Sequence, residues 1–76
     1  MMLKDLPVGK SGRVTRVRGE GAFRRRLLDM GITPGIILTL RKTAPFGDPV
    51  EIKLRNYILT LRLEDAEEIE VIEVDK

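Results

Sequence analysis

Apolar and polar residues alternate along several short runs of the chain, and one segment interrupts them with a helical repeat. Val50, Ile52 and Leu54 point one way from an extended backbone while Glu51 and Lys53 point the other, which predicts a strand over Val50–Leu54. Ile36, Leu38 and Leu40 alternate with Ile37, Thr39 and Arg41 and predict a strand over Ile36–Lys42. Leu59, Leu61 and Leu63 share a face of a strand predicted over Ile58–Leu63. A strand over Ile69–Val74 slips in phase at Val71-Ile72, so one of the two lies at an edge or a bulge. Gly12–Arg18 also reads as a strand, although Val14 and Val17 are out of step. A bulge or a barrel corner between them returns both to the core.

The interruption is helical. Phe23, Leu27 and Met30 stand at i, i+4 and i+7 and share one face, so a helix is predicted near residues 22–30. Gly31 follows where a helix takes a left-handed residue at C′, and Ile32 at C″ can touch Leu27 at C3. Thr33-Pro34-Gly35-Ile36 reads as a type II turn, because proline presets the first central φ and glycine accepts the positive second one. Leu6-Pro7 is an extended lead-in. Thr43–Pro49 is a loop with two prolines and a glycine, Arg55-Asn56-Tyr57 is a hairpin turn with Asn56 as its left-handed residue, and Glu64–Glu67 is a single-turn link. About five short strands and one helix, separated by glycine-proline turns, argue for a small mainly-β barrel, since closure removes exposed strand edges. Seventy-six residues make a single domain, 1–76, with one small core, because a chain this short buries only about 60% of its unfolded surface.

Composition narrows the chemistry. The chain has no cysteine and no histidine, which removes the commonest metal ligands and the commonest general base. No phosphate-binding glycine loop and no nucleophile pair can be assembled, so an enzyme is not expected and no cofactor is implied. The longest aliphatic run, Ile36-Ile37-Leu38, is far below the ~20 residues that cross a bilayer, and the start of the chain lacks a signal-peptide core. An intracellular protein without direct membrane insertion is expected.

Charge is unevenly placed. Residues 1–45 carry ten Lys/Arg against three Asp/Glu (+7), and residues 46–76 carry four against nine (−5), which together give the net +2. Such halves either stay apart and steer a partner by their field, or interleave in the barrel and cancel. Arg24, Arg25 and Arg26 crowd the start of the helix and Asp29 sits near its end, both against the helix dipole. Local rules broken without evident gain are expected at functional surfaces. With Arg13, Arg16 and Arg18 these arginines could form a basic patch for nucleic acid. Single-strand binding also needs aromatic platforms, however, and only Phe46 and Tyr57 remain outside the helix. Glu64, Asp65, Glu67 and Glu68 read as a solvated acidic turn.

Arg25-Arg26-Leu27, then Met30-Gly31-Ile32-Thr33-Pro34-Gly35, then Ala44-Pro45-Phe46-Gly47-Asp48-Pro49 with Val50-Glu51-Ile52, closely resemble the ferrous iron transport protein A (FeoA) family. The hairpin Leu54–Arg62 and Ile69-Glu70-Val71 fit as well, so the likeness runs from about Leu6 to Val74. Asn56 stands where the family often has glycine; both suit a left-handed turn. The resemblance implies an SH3-like β-barrel of about five antiparallel strands with one inserted helix. It implies a cytoplasmic accessory of ferrous-iron uptake whose partner is a large membrane permease with a cytosolic G domain that it could modulate. A similar module forms the C-terminal domain of some iron-dependent repressors. Family-level descriptions attach transition-metal binding, yet without His or Cys no high-affinity ferrous or zinc site is expected in this chain.

The expected function is thus a non-enzymatic adaptor that docks to the permease. The alternative is a small basic barrel that binds nucleic acid, or a stand-alone relative of the repressor domain. Nucleic acid is not the expected partner, and weak self-association is left open. Docking is placed on the loop, through Pro45, Phe46, Gly47 and Asp48, with Arg24 and Arg25 of the helix as the second candidate. Phe46 allows two readings. It is an exposed anchor beside a charge, or it folds back to cap one end of the barrel.

Overall fold

In the computed structural model, which describes residues 1–75, strand β1 (Ser11–Val17) lies between two antiparallel neighbours. A 3₁₀ turn at Leu3–Asp5 precedes it. After it come α1 (Gly21–Asp29), β2 (Ile37–Thr43), β3 (Val50–Leu54), β4 (Tyr57–Leu61), α2 (Leu63–Ala66) and β5 (Ile69–Val74). One five-stranded sheet runs β4-β3-β2-β1-β5. Its inner faces share one apolar cluster, with Val14 and Val17 of β1, Leu38 and Leu40 of β2, all three apolar residues of β3, Leu61 of β4, and Ile69 and Val71 of β5. The sheet therefore curls into a small barrel, and α2 joins its two outermost strands.

The irregularities that the pattern demands are present. β1 pairs with β5 through a register shift between Val14 and Arg16, which lets Val14 and Val17 both face inward, at 1% and 3% exposure. Within β5, Val71 is buried and Ile72 faces outward, so the phase slip resolves in favour of Val71. β2 starts at Ile37 and leaves Ile36 half-buried against the core.

The segment after α1 obeys its local rules. Ile32 N donates to Leu27 O at 3.2 Å and Gly31 N to Leu28 O at 3.0 Å, the paired bonds of a Schellman cap, with Gly31 at φ 98°. Ile36 N donates to Thr33 O at 3.1 Å, which closes the turn around Gly35 at φ 97°. That turn is pinned to the bulged stretch of β1. Gly35 N donates to Val14 O at 2.7 Å, and Val14 N donates to Ile36 O at 2.9 Å. Leu27 and Ile32 are fully buried beneath this connection, with Phe23 and Met30 packed at its margin.

Three expectations need correction. The left-handed residue of the hairpin turn is Arg55, at φ 54°, rather than Asn56. The β3–β4 register places Leu54 opposite Tyr57, so Arg55 takes the first central position of a two-residue loop, where such turns need positive φ. Leu63 begins α2 instead of extending β4, because the chain turns there under the barrel. The opening residues also contribute more than a lead-in. Leu3 and Leu6 are buried, and Met2 bridges to Glu70 along the free side of β5.

Gly31 and Gly35 share a left-handed backbone but differ in surroundings. A Cβ on Gly31 would strike the Tyr57 hydroxyl, whereas a Cβ on Gly35 meets nothing. Gly35→Ala should therefore cost about 1–2 kcal/mol, from the conformation alone. Gly31→Ala should cost about 1 kcal/mol more, because it also displaces the Tyr57 hydrogen bond. Urea denaturation of the two variants checks this, and equal losses would contradict it.

Candidate partner-binding surface

The loop between β2 and β3 is built as a rigid projection. Gly47 N donates to Ala44 O at 2.7 Å and closes a tight turn with Pro45 and Phe46 at its corner. Ala44 N donates to Pro49 O at 3.0 Å and ties the base of the loop together. Phe46 is 96% exposed, so it does not fold back to cap the barrel. Beside the loop lies an open groove of about 370 Å³ lined in part by Lys42, Pro45, Pro49, Val50 and Thr60. A large aromatic held in water on a proline-braced turn gains nothing for the fold.

Asp48 is less available than its sequence neighbourhood suggests. Its Oδ1 accepts the backbone N–H of Leu63 at 2.9 Å, so it caps the first turn of α2 and anchors the loop. The second α2 contact is a buried carboxylate. Asp65 Oδ2 accepts Arg62 N at 3.2 Å, and Asp65 Oδ1 accepts Arg26 Nη2 of α1 at 2.7 Å. Arginine has no acceptor, so only this half of a capping box forms. Asp65 is 3% exposed, which corrects the reading of residues 64–68 as a solvated acidic turn. Its spacing from Arg62 is that of a helix N-terminus, the one signal in the sequence that marks it.

The helix arginines divide. Arg24 Nε donates to Val17 O at 3.1 Å and so ties α1 to the end of β1. Arg26 holds Asp65 and lies 5.8 Å from the centroid of the Phe23 ring. Tyr57 donates its hydroxyl to Met30 O at 2.9 Å, a further tether that the sequence did not signal. Among the described residues the Arg25 side chain makes no hydrogen bond or ion pair, and it borders an open surface depression with Leu28 and Asp29. The candidate residues thus fall into two places, and no hydrogen bond joins Arg24 or Arg25 to the loop. Arg24 has a structural duty and Pro45 braces the loop turn, whereas the side chains of Arg25 and Phe46 have no such task.

The two charged halves interleave. Arg16–Glu70, Arg18–Glu68, Arg26–Asp65, Arg41–Glu51 and Lys42–Glu51 each join a cation from residues 1–45 to an anion from 46–76. Exposed pairs such as Arg16–Glu70 at 3.8 Å add little stability, but the pairs together set an anion beside Arg16, Arg18 and Arg26, three of the six arginines of the would-be basic patch. Among the described residues no three His, Cys, Asp or Glu side chains come together where they could hold a metal ion. There is no His or Cys, and Asp65, Glu51, Glu68 and Glu70 are already opposite cations.

The FeoA domain family model matches residues 1–73. The chain belongs to that family. It is 42% identical over 71 residues to the Fe(2+) transport protein A/Fe(2+) transporter FeoB fusion protein of Porphyromonas gingivalis. That match covers 93% of this chain and 8% of the fusion protein. The chain thus spans a small part of the curated relative it matches. The solution structure of FeoA from Chlorobium tepidum superposes with a TM-score of 0.90 at 40% identity, covering 99% of this chain and 71% of that one. Stenotrophomonas maltophilia FeoA, solved with zinc and described as a prokaryotic SH3 domain protein, gives a TM-score of 0.82 at 26% identity, covering 95% and 89%. The FeoA fold of this chain is therefore the mainly-β, SH3-like one, and the family is one of small accessory domains involved in ferrous iron transport. No helix of the described residues is long and apolar enough to cross a membrane.

Phe46→Ala should leave the melting temperature nearly unchanged, within about 0.5 kcal/mol of stability, because almost all of its surface is already wet. Asp65→Ala should cost about 3 kcal/mol, since it removes a charge-assisted bond and a helix cap at a buried site. Thermal melts of both variants check the contrast, and a stable Asp65→Ala protein would contradict the assignment.

Proposed function

We propose that this FeoA chain is a non-enzymatic adaptor that docks to the cytosolic part of a membrane ferrous-iron permease and bears on its G domain. The observation that carries the reading is Phe46, an aromatic with no partner in its own fold, on a loop fixed by Pro45, Gly47, Pro49 and Asp48. A preorganised turn loses little entropy when a partner fixes it, and an aromatic that fills a pocket supplies most of an interface's energy. The Porphyromonas gingivalis fusion supports the choice of partner, because a domain like this one is there part of the same chain as the transporter. Covalent linkage raises the effective concentration of two parts that work together. A cytoplasmic location follows from this reading.

Arg25 is the second contact. It is the helix arginine without a structural partner, and an exposed cation beside the half-buried Leu28 suits an acidic patch on the partner. Iron is the cargo of the partner, and this chain supplies no ligand set for it.

A pull-down with the permease's cytosolic domain tests the reading. Phe46→Ala should abolish capture and ferrous-iron uptake in cells while the protein remains folded, a loss of at least ~2 kcal/mol of binding for a hot-spot aromatic. Arg25→Glu should weaken capture, more so at low ionic strength, without unfolding the chain. Full capture by both variants would remove the loop and the helix from the docking surface. Tight binding of oligonucleotides with a steep salt slope would favour the nucleic-acid alternative instead.

A further inference from the structure

The sheet has two outer edges, and only one is covered. Met2 bridges to Glu70 on β5, and Val71 N donates to Met1 O at 2.7 Å, so the start of the chain lies along the free side of β5. Among the described residues nothing pairs with the outer side of β4. Natural edge strands are normally blunted by charge, proline or a bulge. β4, Tyr57-Ile58-Leu59-Thr60-Leu61, has none of these, and its pairing with β3 is regular over all five positions.

The direction of its free backbone groups follows from the turn. Leu54 and Tyr57 flank a two-residue loop and so form a hydrogen-bonded pair, and such pairs alternate along an antiparallel ladder. Tyr57, Leu59 and Leu61 therefore spend their backbone groups on β3. Ile58 and Thr60 turn theirs outward.

We infer that this edge pairs with β4 of a second copy, antiparallel about a two-fold axis at Leu59, which joins two barrels through one continuous sheet. The register is self-complementary. Ile58 of each copy faces Thr60 of the other, and these are the residues with outward-pointing groups, so both backbone bonds of each pair can form. Leu59, half-buried at the margin of the core, meets its own copy in the close, non-hydrogen-bonded position on the axis. Ile58, 46% exposed on the outer face, is covered by the opposing Thr60. No like charges are opposed. On the outer face the row across the junction reads Lys53, Ile58, then Thr60 and Glu51 of the second copy. Asp65 and Ala66 are buried, so α2 turns under the barrel and away from the seam. The inference is independent of the docking reading, which uses the loop tip.

Sedimentation equilibrium of the full chain tests it. The average mass should rise from one chain toward two as concentration is raised from micromolar to about 1 mM, the range of a weak two-fold contact. Amide exchange at Ile58 and Thr60 should slow in step, while Leu59 stays protected throughout. Ile58→Lys places a cation on the seam twice over and should raise the dissociation constant by at least ~tenfold. Thr60→Pro deletes an outward N–H that β3 does not use and should abolish pairing. If that variant fails to fold, Ile58→Lys alone carries the test. A chain that stays monomeric at every concentration overturns the inference, as does a dimer that survives both substitutions. A monomer whose Ile58→Lys variant loses iron uptake would give the edge to a strand of another protein and overturn it equally.

Discussion

The carboxylate of Asp65 sits out of water, and a buried charge persists only where donors surround it. Its two oxygens hold the start of α2 and the guanidinium of Arg26, so one side chain fixes a short helix and fastens α1 to the far end of the sheet. Asp48 caps the same α2 turn from the loop side. A four-residue helix, too short to persist alone, thereby becomes the joint between α1, the projecting loop and the barrel. The loop tip can carry an aromatic into solvent because its base is tied down here.

The helix charges are explained by the same joint. Arg26 falls in the last turn of α1, where a cation suits the helix dipole, and Arg24 and Arg26 each hold a fixed acceptor, one on β1 and one in Asp65. The FeoA chain thus uses two of three apparently misplaced arginines as struts. Arg25 alone projects without such a task, which separates docking candidates from scaffolding within a run of identical residues.

What the sequence discloses follows the range of the interaction. The Schellman cap at Gly31, the turn at Gly35, the β1 bulge and the spans of β3 and β5 rest on neighbours a few residues apart, and all are legible as local pattern. Asp65 is not, because its burial depends on Arg26, far away in the chain, and in sequence it hides among Glu64, Glu67 and Glu68. The contacts of Tyr57 and Asp48 are hidden for the same reason. Arg55 shows a subtler limit. Asparagine tolerates positive φ better, yet the register of Leu54 and Tyr57 decides which of the two loop residues must adopt it. At the candidate site, the exposure of Phe46 needed the structure, since pattern alone left it as readily capping the barrel.

β1 sits between β2 and β5, and among the described residues each ion pair joins an early cation to a late anion. Residues 1–45 form a cationic stretch that is made before β5, and its central strand then lacks one of its two neighbours. Val14 and Val17 have no complete core to enter until Ile69 and Val71 arrive. Folding must therefore wait for the final strand and then proceed as one cooperative event, with long-range pairings setting its pace. A chain cut short before Ile69 would leave one side of β1 bare and Val14 and Val17 without Ile69 and Val71 to pack on, and so would present quality control with an open core rather than a partial barrel.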